Sequence, residues 1–223
     1  MSRETGRVLK DYYGSMFRAF GPQGWWPGRT RFEVIVGAIL TQNTAWTNVE
    51  KAIARLKKER LLTPERLNAV TEPKLAGLIR SAGYFNIKAH RLKNFTAHLM
   101  GNGGLDRFLK KDAGALRKEL LGINGVGPET ADSIMLYAAG KPEFVVDAYT
   151  KRIFSRHGLV DEKAGYEEVK TLFTDNLDPD ARIFNEYHAL IVRTGKDYCR
   201  TRAPLCGECP LKGYLPGHTG GAG

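Results

Sequence analysis

The chain has 223 residues, of which 42% are hydrophobic and 26% are charged, and this composition is typical of a folded protein and not of a disordered one. It contains no run of about 18 apolar residues and no apolar secretory signal, so we expect a cytoplasmic or nucleoid-associated protein that does not span a membrane. The formal net charge of +10 suits a nucleic-acid partner, and it is equally compatible with solubility alone.

Apolar residues recur at helical spacing along most of the chain, and alternating strand patterns are scarce. We therefore predict an all-α fold of about ten helices. The segment 32–40, FEVIVGAIL, is almost entirely apolar and predicts a buried helix. Thr63 followed by Pro64 is a typical helix start. Another helix is predicted over 87–100, with three basic residues on its polar side, Lys88, Arg91 and Lys93.

The most informative stretch is 120–134, LLGINGVGPETADSI. One helix is predicted to end at Gly122 and the next to begin at Pro128, with a tight turn between them. Glycine permits backbone conformations that other residues avoid, and the N–H groups at a helix start attract anions. The turn therefore predicts binding to a DNA-backbone phosphate, and its plainer interpretation is a simple inter-helix connection. Its residues are Gly125, Val126 and Gly127.

An apolar run, 144–146, precedes Asp147 and a further predicted helix, AYTKRIFSR. Asp is a preferred N-cap residue, and the local sequence alone favours that role. Lys151 lies one helical turn later and is interpreted as a DNA-backbone contact or a solvated charge.

Four stretches in register resemble the endonuclease III superfamily of DNA glycosylases. LLGINGVGPETADSI followed by VVDAYTKRIFSR is similar to the family's helix-hairpin-helix, Gly-Pro-rich loop and aspartate. FEVIVGAILTQNT resembles its buried helix ending in a glutamine, and AGYFNIKAHRLKN resembles the loop and helix that follow. CRTRAPLCGECPLKGYL resembles its iron–sulfur loop. The likeness spans about residues 25–215.

The resemblance implies a two-domain, all-α helix-hairpin-helix glycosylase architecture with a C-terminal cysteine-rich loop. A six-helix domain containing the hairpin is expected over 29–140. Residues 1–28 together with 141–223 are expected to form a second helical domain, with the cysteine cluster at 199–209. The DNA and the active-site cleft are expected between the domains. The implied partner is double-stranded DNA containing a damaged base, and we expect a monomer.

The resemblance also assigns roles to two acidic residues. It implies that Asp147 stabilises the positive charge that develops on the sugar and helps to activate the nucleophile. Bifunctional members carry a lysine two residues after the last hairpin glycine, and this lysine forms a Schiff base with the sugar. Glu129 occupies that position here, so we predict a monofunctional enzyme without AP lyase activity that uses water. Glu129 either positions this water or complements the helix dipole.

An enzyme that acts on a base in duplex DNA flips the base out and fills the gap. By the resemblance, Gln42 fills the gap and Tyr84 enters the opposite strand as a wedge, with core packing as the alternative for Tyr84. Aromatic faces attract cationic N-alkylated purines. The predicted base pocket consists of Trp25, Trp26, Pro27 and Trp46. These residues resemble the corresponding ones of bacterial 3-methyladenine DNA glycosylases. The alternative is that the tryptophans pack the junction of two domains.

We therefore predict a base excision repair glycosylase that hydrolyses the N-glycosidic bond of an alkylated purine such as 3-methyladenine. One alternative is an endonuclease III-like glycosylase for oxidised pyrimidines, with or without AP lyase activity. The other is a non-enzymatic helix-hairpin-helix DNA-binding protein. Phosphate contacts are expected from five basic residues: Lys88, Arg91, Lys93, Lys151 and Arg152.

Cys199, Cys206 and Cys209 lie within eleven residues of one another. An odd number of cysteines, clustered in a chain without an export signal, indicates a metal site and not disulfides. By the resemblance the ligands follow C-x6-C-x2-C-x5-C, and Leu215 stands at the fourth position. We expect a structural [4Fe–4S] cluster, with His218 as a candidate substitute ligand. Zn²⁺ and a loop that binds nothing are the alternatives.

Overall fold

The computed structural model describes residues 3–25 and 28–215. Regular structure in these ranges is entirely helical, which confirms the predicted all-α fold. Within them no helix is both long and apolar enough to cross a membrane. The α-helices are α1 (Arg3–Phe20), α2 (Arg31–Leu40), α3 (Trp46–Lys58), α4 (Pro64–Ala69), α5 (Glu72–Leu78), α6 (Phe85–Gly101), α7 (Gly104–Leu109), α8 (Ala113–Gly122), α9 (Pro128–Ser133), α10 (Ala148–Arg156), α11 (Tyr166–Thr174) and α12 (Ala181–Asp197).

The chain divides into two compact units. Residues 26–141 form the first, which contains α2–α9 and is called the hairpin unit below. Residues 1–25 and 142–223 form the second, which contains α1 and α10–α12 and is called the aspartate unit.

Helix α2 is the centre of the hairpin unit, because every residue from Phe32 to Leu40 is buried. Its first turn is capped by Thr30, whose hydroxyl accepts a hydrogen bond from the N–H of Glu33 at 3.1 Å. A helix buried on all sides needs apolar neighbours around it, and α3, α6 and α9 supply them.

Two helices predicted from the sequence are found in the hairpin unit close to their predicted positions. Thr63 caps α4 by accepting from the N–H of Arg66 at 3.3 Å, and Pro64 takes the first helical position. The helix predicted over 87–100 is α6, which begins two residues earlier, at Phe85.

The core of the aspartate unit is aromatic. Phe144 stacks on Phe173 with 3.7 Å between ring centroids. The hydroxyl of the fully buried Tyr187 donates to the carbonyl of Leu9 at 2.8 Å, joining α12 to α1. The buried run 144–146 leads from this core to Asp147, the N-cap residue of α10.

Candidate active site

Helices α8 and α9 form a hairpin around the turn 123–127. Gly125 has a φ of +96°, in the region that favours glycine, whereas Gly127 precedes α9 with an ordinary φ of −89°. Arg117 of α8 binds Asp132 of α9 through two hydrogen bonds of 2.8 and 3.2 Å, which joins the two helices. The first N–H groups of α9 have no partner within the helix, so the turn has a backbone geometry suited to an anion.

The structure corrects the expectation for Val126. Its N–H donates to the carbonyl of Ile123 at 3.0 Å, and its side chain is only 6% exposed. Because both groups are used inside the protein, Val126 shapes the turn and does not offer its N–H to a phosphate.

Gln42 follows α2 and lies against the hairpin. Its Nε2 donates to the carbonyl of Gly125 at 3.1 Å and to Thr130 Oγ1 at 2.8 Å. Its Oε1 accepts a hydrogen bond from Arg91 Nη1. The predicted gap-filling residue and the predicted phosphate-binding turn therefore meet in one hydrogen-bonded group.

Tyr84 is a surface residue at the start of α6. It is 69% exposed, which excludes the core-packing alternative. Its φ of +44° lies in the left-handed region, which costs a non-glycine residue on the order of 1 kcal/mol. Ile87, one helical turn later, is 53% exposed. Tyr84 and Ile87 thus project two large side chains into solvent from the start of α6. Only Tyr84 is predicted as a wedge from the sequence.

Lys88 is not on the surface of α6, and its predicted phosphate contact is wrong. The side chain is 1% exposed, and its Nζ donates to the carbonyls of Leu40 at 2.8 Å and Ala82 at 2.7 Å, and to Thr44 Oγ1 at 2.6 Å. Burial, aided by the charge of Arg91, lowers the pKa of Lys88 to about 8. Its ammonium satisfies buried acceptors and so fixes the segments that carry Gln42 and Tyr84.

Three other basic residues also bond to backbone carbonyls and are half-buried. Lys93 Nζ donates to the carbonyl of Val70 at 2.9 Å. Arg152 donates to the carbonyls of Cys199 at 2.7 Å and Gly195 at 3.0 Å, so its guanidinium stabilises the end of α12. Lys151 makes a single contact of 3.2 Å to a carbonyl, which leaves donors for another partner.

Asp147 is the N-cap of α10, as the local sequence predicts. Its Oδ1 accepts hydrogen bonds from the N–H and the hydroxyl of Thr150 at 2.7 and 2.9 Å. Its Oδ2 lies 3.5 Å from Nε2 of His188, and the side chain is 14% exposed. Burial alone would raise the pKa of Asp147, but His188 and the Thr150 hydrogen bonds outweigh it and lower that pKa. The carboxylate therefore remains ionised at neutral pH.

His188 is the main site residue that sequence reasoning missed. Its spacing from Phe184 and Ile191 puts it on the same apolar face of α12, and it is 5% exposed there. A histidine at apolar helical spacing indicates a buried imidazole, and a buried imidazole needs a polar partner. The sequence therefore does indicate that His188 has such a partner. The identity of that partner, Asp147, comes only from the fold.

Trp46 begins α3 and lines a pocket of the hairpin unit. Glu33, Glu50 and Lys57 line the same pocket, together with Gly28. The buried Glu33 carboxylate pairs with Lys57 at 2.6 Å, while Glu50 is exposed. An aromatic ring and two carboxylates against one ammonium give this pocket an environment that favours a cation.

The other predicted base-pocket residues have separate positions. Trp25 belongs to the aspartate unit, where its ring centroid lies 5.9 Å from the Lys196 ammonium. Trp26 and Pro27 lie outside the described residues. The structure therefore describes two of the four predicted residues, each within its own unit.

The three cysteines line one mainly apolar cavity in the aspartate unit. All three are free thiols, with Cys199 and Cys209 buried and Cys206 exposed. The cavity is narrow, with about 20 Å³ of space for water-sized molecules, and Leu215 also lines it. Burial raises the pKa of the Cys209 thiol, and a hydrogen bond from the N–H of Leu211 partly offsets this effect.

This donor set fits three corners of a [4Fe–4S] cluster and leaves the fourth without a cysteine. Leu215, at the predicted fourth position, offers only hydrocarbon to the cavity. Among the described residues, no three His, Cys, Asp or Glu side chains form a group that could hold a single metal ion. His218, the candidate substitute ligand, lies outside the described residues.

Comparison with known proteins agrees with these features. Residues 36–179 match the HhH-GPD superfamily of base excision DNA repair proteins. A Methanocaldococcus jannaschii protein, provisionally named a DNA repair glycosylase, is 54% identical over 211 residues, covering 93% of this chain and 92% of that protein.

Two solved structures are similar to most of the chain. The H. pylori 3-methyladenine DNA glycosylase bound to 1,N6-ethenoadenine is 26% identical with a TM-score of 0.74, covering 86% of this chain and 97% of its own. A trapped endonuclease III–DNA covalent intermediate has a TM-score of 0.79, covering 97% of this chain and 96% of its own. At 24% identity, this second likeness concerns the fold.

Proposed function

Because the chain belongs to the HhH-GPD superfamily of base excision DNA repair proteins and is a DNA glycosylase, we propose that it is a monofunctional enzyme for an alkylated purine such as 3-methyladenine. The observation that carries this proposal is the ionised Asp147 carboxylate at the start of α10. A protein that only binds DNA through its hairpin has no use for such a carboxylate beyond helix capping.

The chemistry assigned to Asp147 follows from its two oxygens. The glycosidic bond breaks through a transition state with positive charge on the sugar, which a nearby carboxylate stabilises. Oδ1 is occupied by Thr150 at the helix start, so Oδ2 is the oxygen that we assign to the sugar or to the attacking water. The lowered pKa of Asp147 keeps this oxygen anionic at neutral pH.

Replacement of His188 by Ala is expected to shift the acidic limb of base release to higher pH. It removes the hydrogen bond and positive charge that lower the pKa of Asp147 and leaves the burial that raises it. A carboxylate loses its charge as pH falls through its pKa, so the limb follows that pKa upward.

Base release measured across the acidic range checks this expectation. His157→Gln is the matched control, because His157 is a half-buried histidine of the same unit that bonds to Tyr12 at 2.9 Å. An acidic limb that stays in place in His188→Ala, or moves equally in the control, would contradict the role of His188.

Glu129 supports hydrolysis without strand cleavage. It is exposed in the first turn of α9, at the position where the resemblance places the Schiff-base lysine of bifunctional members. A carboxylate cannot form a Schiff base with the sugar. We assign Glu129 to positioning the attacking water, a role that its place near the positive end of the helix dipole also favours.

The substrate assignment rests on the pocket beside Trp46. N-alkylated purines are positively charged or strongly polarised, and a cation over an aromatic face gains roughly 0.5–2 kcal/mol. Glu33 and Glu50 add negative charge to the same pocket, whereas a neutral oxidised pyrimidine gains nothing from it. The similarity to the H. pylori 3-methyladenine DNA glycosylase supports the same substrate class. Trp25, Trp26 and Pro27 are assigned to base binding from the sequence resemblance alone.

The proposed DNA contacts follow from the surface of each unit. In the hairpin unit, the N–H groups of Gly125 and Gly127 bind a backbone phosphate, and Gln42 fills the gap left by the flipped base. Tyr84 enters the opposite strand, because its exposure and strained backbone suit an apolar wedge. In the aspartate unit, Lys151 binds a phosphate.

A [4Fe–4S] cluster is proposed as a structural element and not as a reactant. Cys199, Cys206 and Cys209 would hold it, and its iron–thiolate bonds would tie the loop together. The loop also has contacts of its own, since Arg156 donates to the carbonyl of Arg200 at 2.7 Å and to Cys199 Sγ at 3.4 Å. Iron and sulfide analysis of the purified protein tests this assignment.

The proposed function is tested by presenting methylated, oxidised and deaminated duplexes to the enzyme side by side. We expect free base from the methylated duplex, and no protein–DNA adduct when borohydride is added to reduce any Schiff base. Preferential release of oxidised pyrimidines would overturn the substrate assignment. A borohydride-trapped adduct would overturn the assignment as a monofunctional enzyme.

A further inference from the structure

Arg91 lies between Gln42 and the hairpin turn. Its Nη1 donates to Gln42 Oε1, and its aliphatic stem packs directly on Gly125. A Cβ added to Gly125 would overlap Arg91 Cγ, so the two groups are as close as a glycine allows. Another contact of α6 with the same turn comes from Asn94, whose Nδ2 donates to the carbonyl of Asn124 at 3.3 Å.

These contacts determine how the Gln42 amide is oriented. Nε2 faces two oxygen acceptors, the Gly125 carbonyl and Thr130 Oγ1, while Oε1 faces the guanidinium. The reversed amide would place N–H groups against the guanidinium, which has no acceptor. The hydrogen bond from Arg91 has a charged donor, and such bonds are roughly twice as strong as neutral ones.

The physical consequence is preorganisation. A free glutamine side chain samples many rotamers and loses that freedom when it enters a stacked duplex. A side chain already held by three hydrogen bonds has lost much of it before DNA arrives, so binding costs less. Arg91 is half-buried, and it is the partner that supplies both charge and orientation.

We propose that Arg91 is a positioning residue that holds Gln42 ready to fill the gap in the base stack. The proposal rests on the gap-filling role given to Gln42 in the proposed function. Since Arg91 also packs on Gly125, it links the position of Gln42 to the turn that binds phosphate.

The test uses a duplex with a tetrahydrofuran abasic-site analogue and an intact duplex of the same sequence. The abasic duplex has a gap for Gln42 to fill, so the ratio of the two Kd values reports gap filling and cancels general charge effects. We expect Arg91→Met to lower the preference for the abasic duplex on the order of tenfold. Gln42→Ala is expected to do the same, and the double variant to lose no more than either single one.

Two further variants keep the test decisive. Arg91→Lys retains a charged donor and is expected to lose less than Arg91→Met. Arg66→Met is the matched control, because it makes the same change at an arginine of the hairpin unit that bonds to the carbonyl of Arg60 and not to Gln42. It is expected to keep the full preference. Thermal unfolding of each variant separates loss of fold from loss of positioning.

The outcomes distinguish this inference from the proposed function. An unchanged preference in Arg91→Met, or losses that multiply in the double variant, would overturn the positioning role even if the wild-type enzyme releases bases. Failure of the wild-type enzyme to release any base would overturn the proposed function, while the binding ratios would still report whether Arg91 acts through Gln42.

Discussion

Asp147→Asn is expected to lower base release at least about 100-fold while binding to duplex DNA is retained. Asn is as good an N-cap as Asp, so the start of α10 is preserved through the contact with Thr150. The variant loses the negative charge that stabilises the sugar in the transition state. Single-turnover release of free base, measured together with duplex affinity, gives both quantities.

Asp112→Asn is the matched control for this substitution. Asp112 caps α8 by accepting from the N–H of Ala115 at 2.9 Å, and it is exposed in the hairpin unit. The same chemical change at this cap is expected to leave base release unaltered. If Asp147→Asn released base at the wild-type rate, or if both variants lost it equally, Asp147 would have no role beyond capping.

The second large effect is expected from Gly125→Ala, which should lower the free energy of unfolding by about 2 kcal/mol and weaken DNA binding. The φ of +96° is unfavourable for alanine, and the added methyl group would overlap Arg91 Cγ. To relieve the overlap, either the turn or Arg91 must move, and both changes disturb Gln42. Urea unfolding and duplex affinity measure the two effects.

Gly127→Ala serves as the control for stability. Its φ of −89° is allowed for alanine, and a Cβ there would meet no atom within 4 Å in the described residues. Only about 0.5 kcal/mol is expected, because alanine is a poorer N-cap than glycine. Equal destabilisation by the two substitutions would show that the left-handed backbone and the close approach of Arg91 are unimportant.

Much of the fold is predictable because it follows from short-range patterns. The apolar run of α2 requires burial, Thr63-Pro64 is compatible with a helix start, and the glycine turn separates α8 from α9. Asp147 at its N-cap is a similarly local feature. Each of these features depends on residues within a few positions of one another, so each can be predicted from the local sequence.

The sequence-based predictions are wrong or incomplete for side chains whose partners lie far away in the sequence. Lys88 was placed with the polar residues of α6 because it is a lysine, although it lies four residues before the buried Leu92 and so shares its face. Its three acceptors, on Leu40, Thr44 and Ala82, come from the fold. His188 is similar, because its polar partner is far away in the sequence. Local periodicity can indicate burial but cannot identify such partners.

We propose that this protein hydrolyses the glycosidic bond and leaves the DNA strand intact. The most direct test is to incubate the wild-type enzyme with methylated duplex DNA, quantify free base, and examine the strand before and after alkali. We expect that 3-methyladenine is released from an uncut strand that breaks only after alkali treatment. No released base, or a strand already cut before alkali, would contradict it.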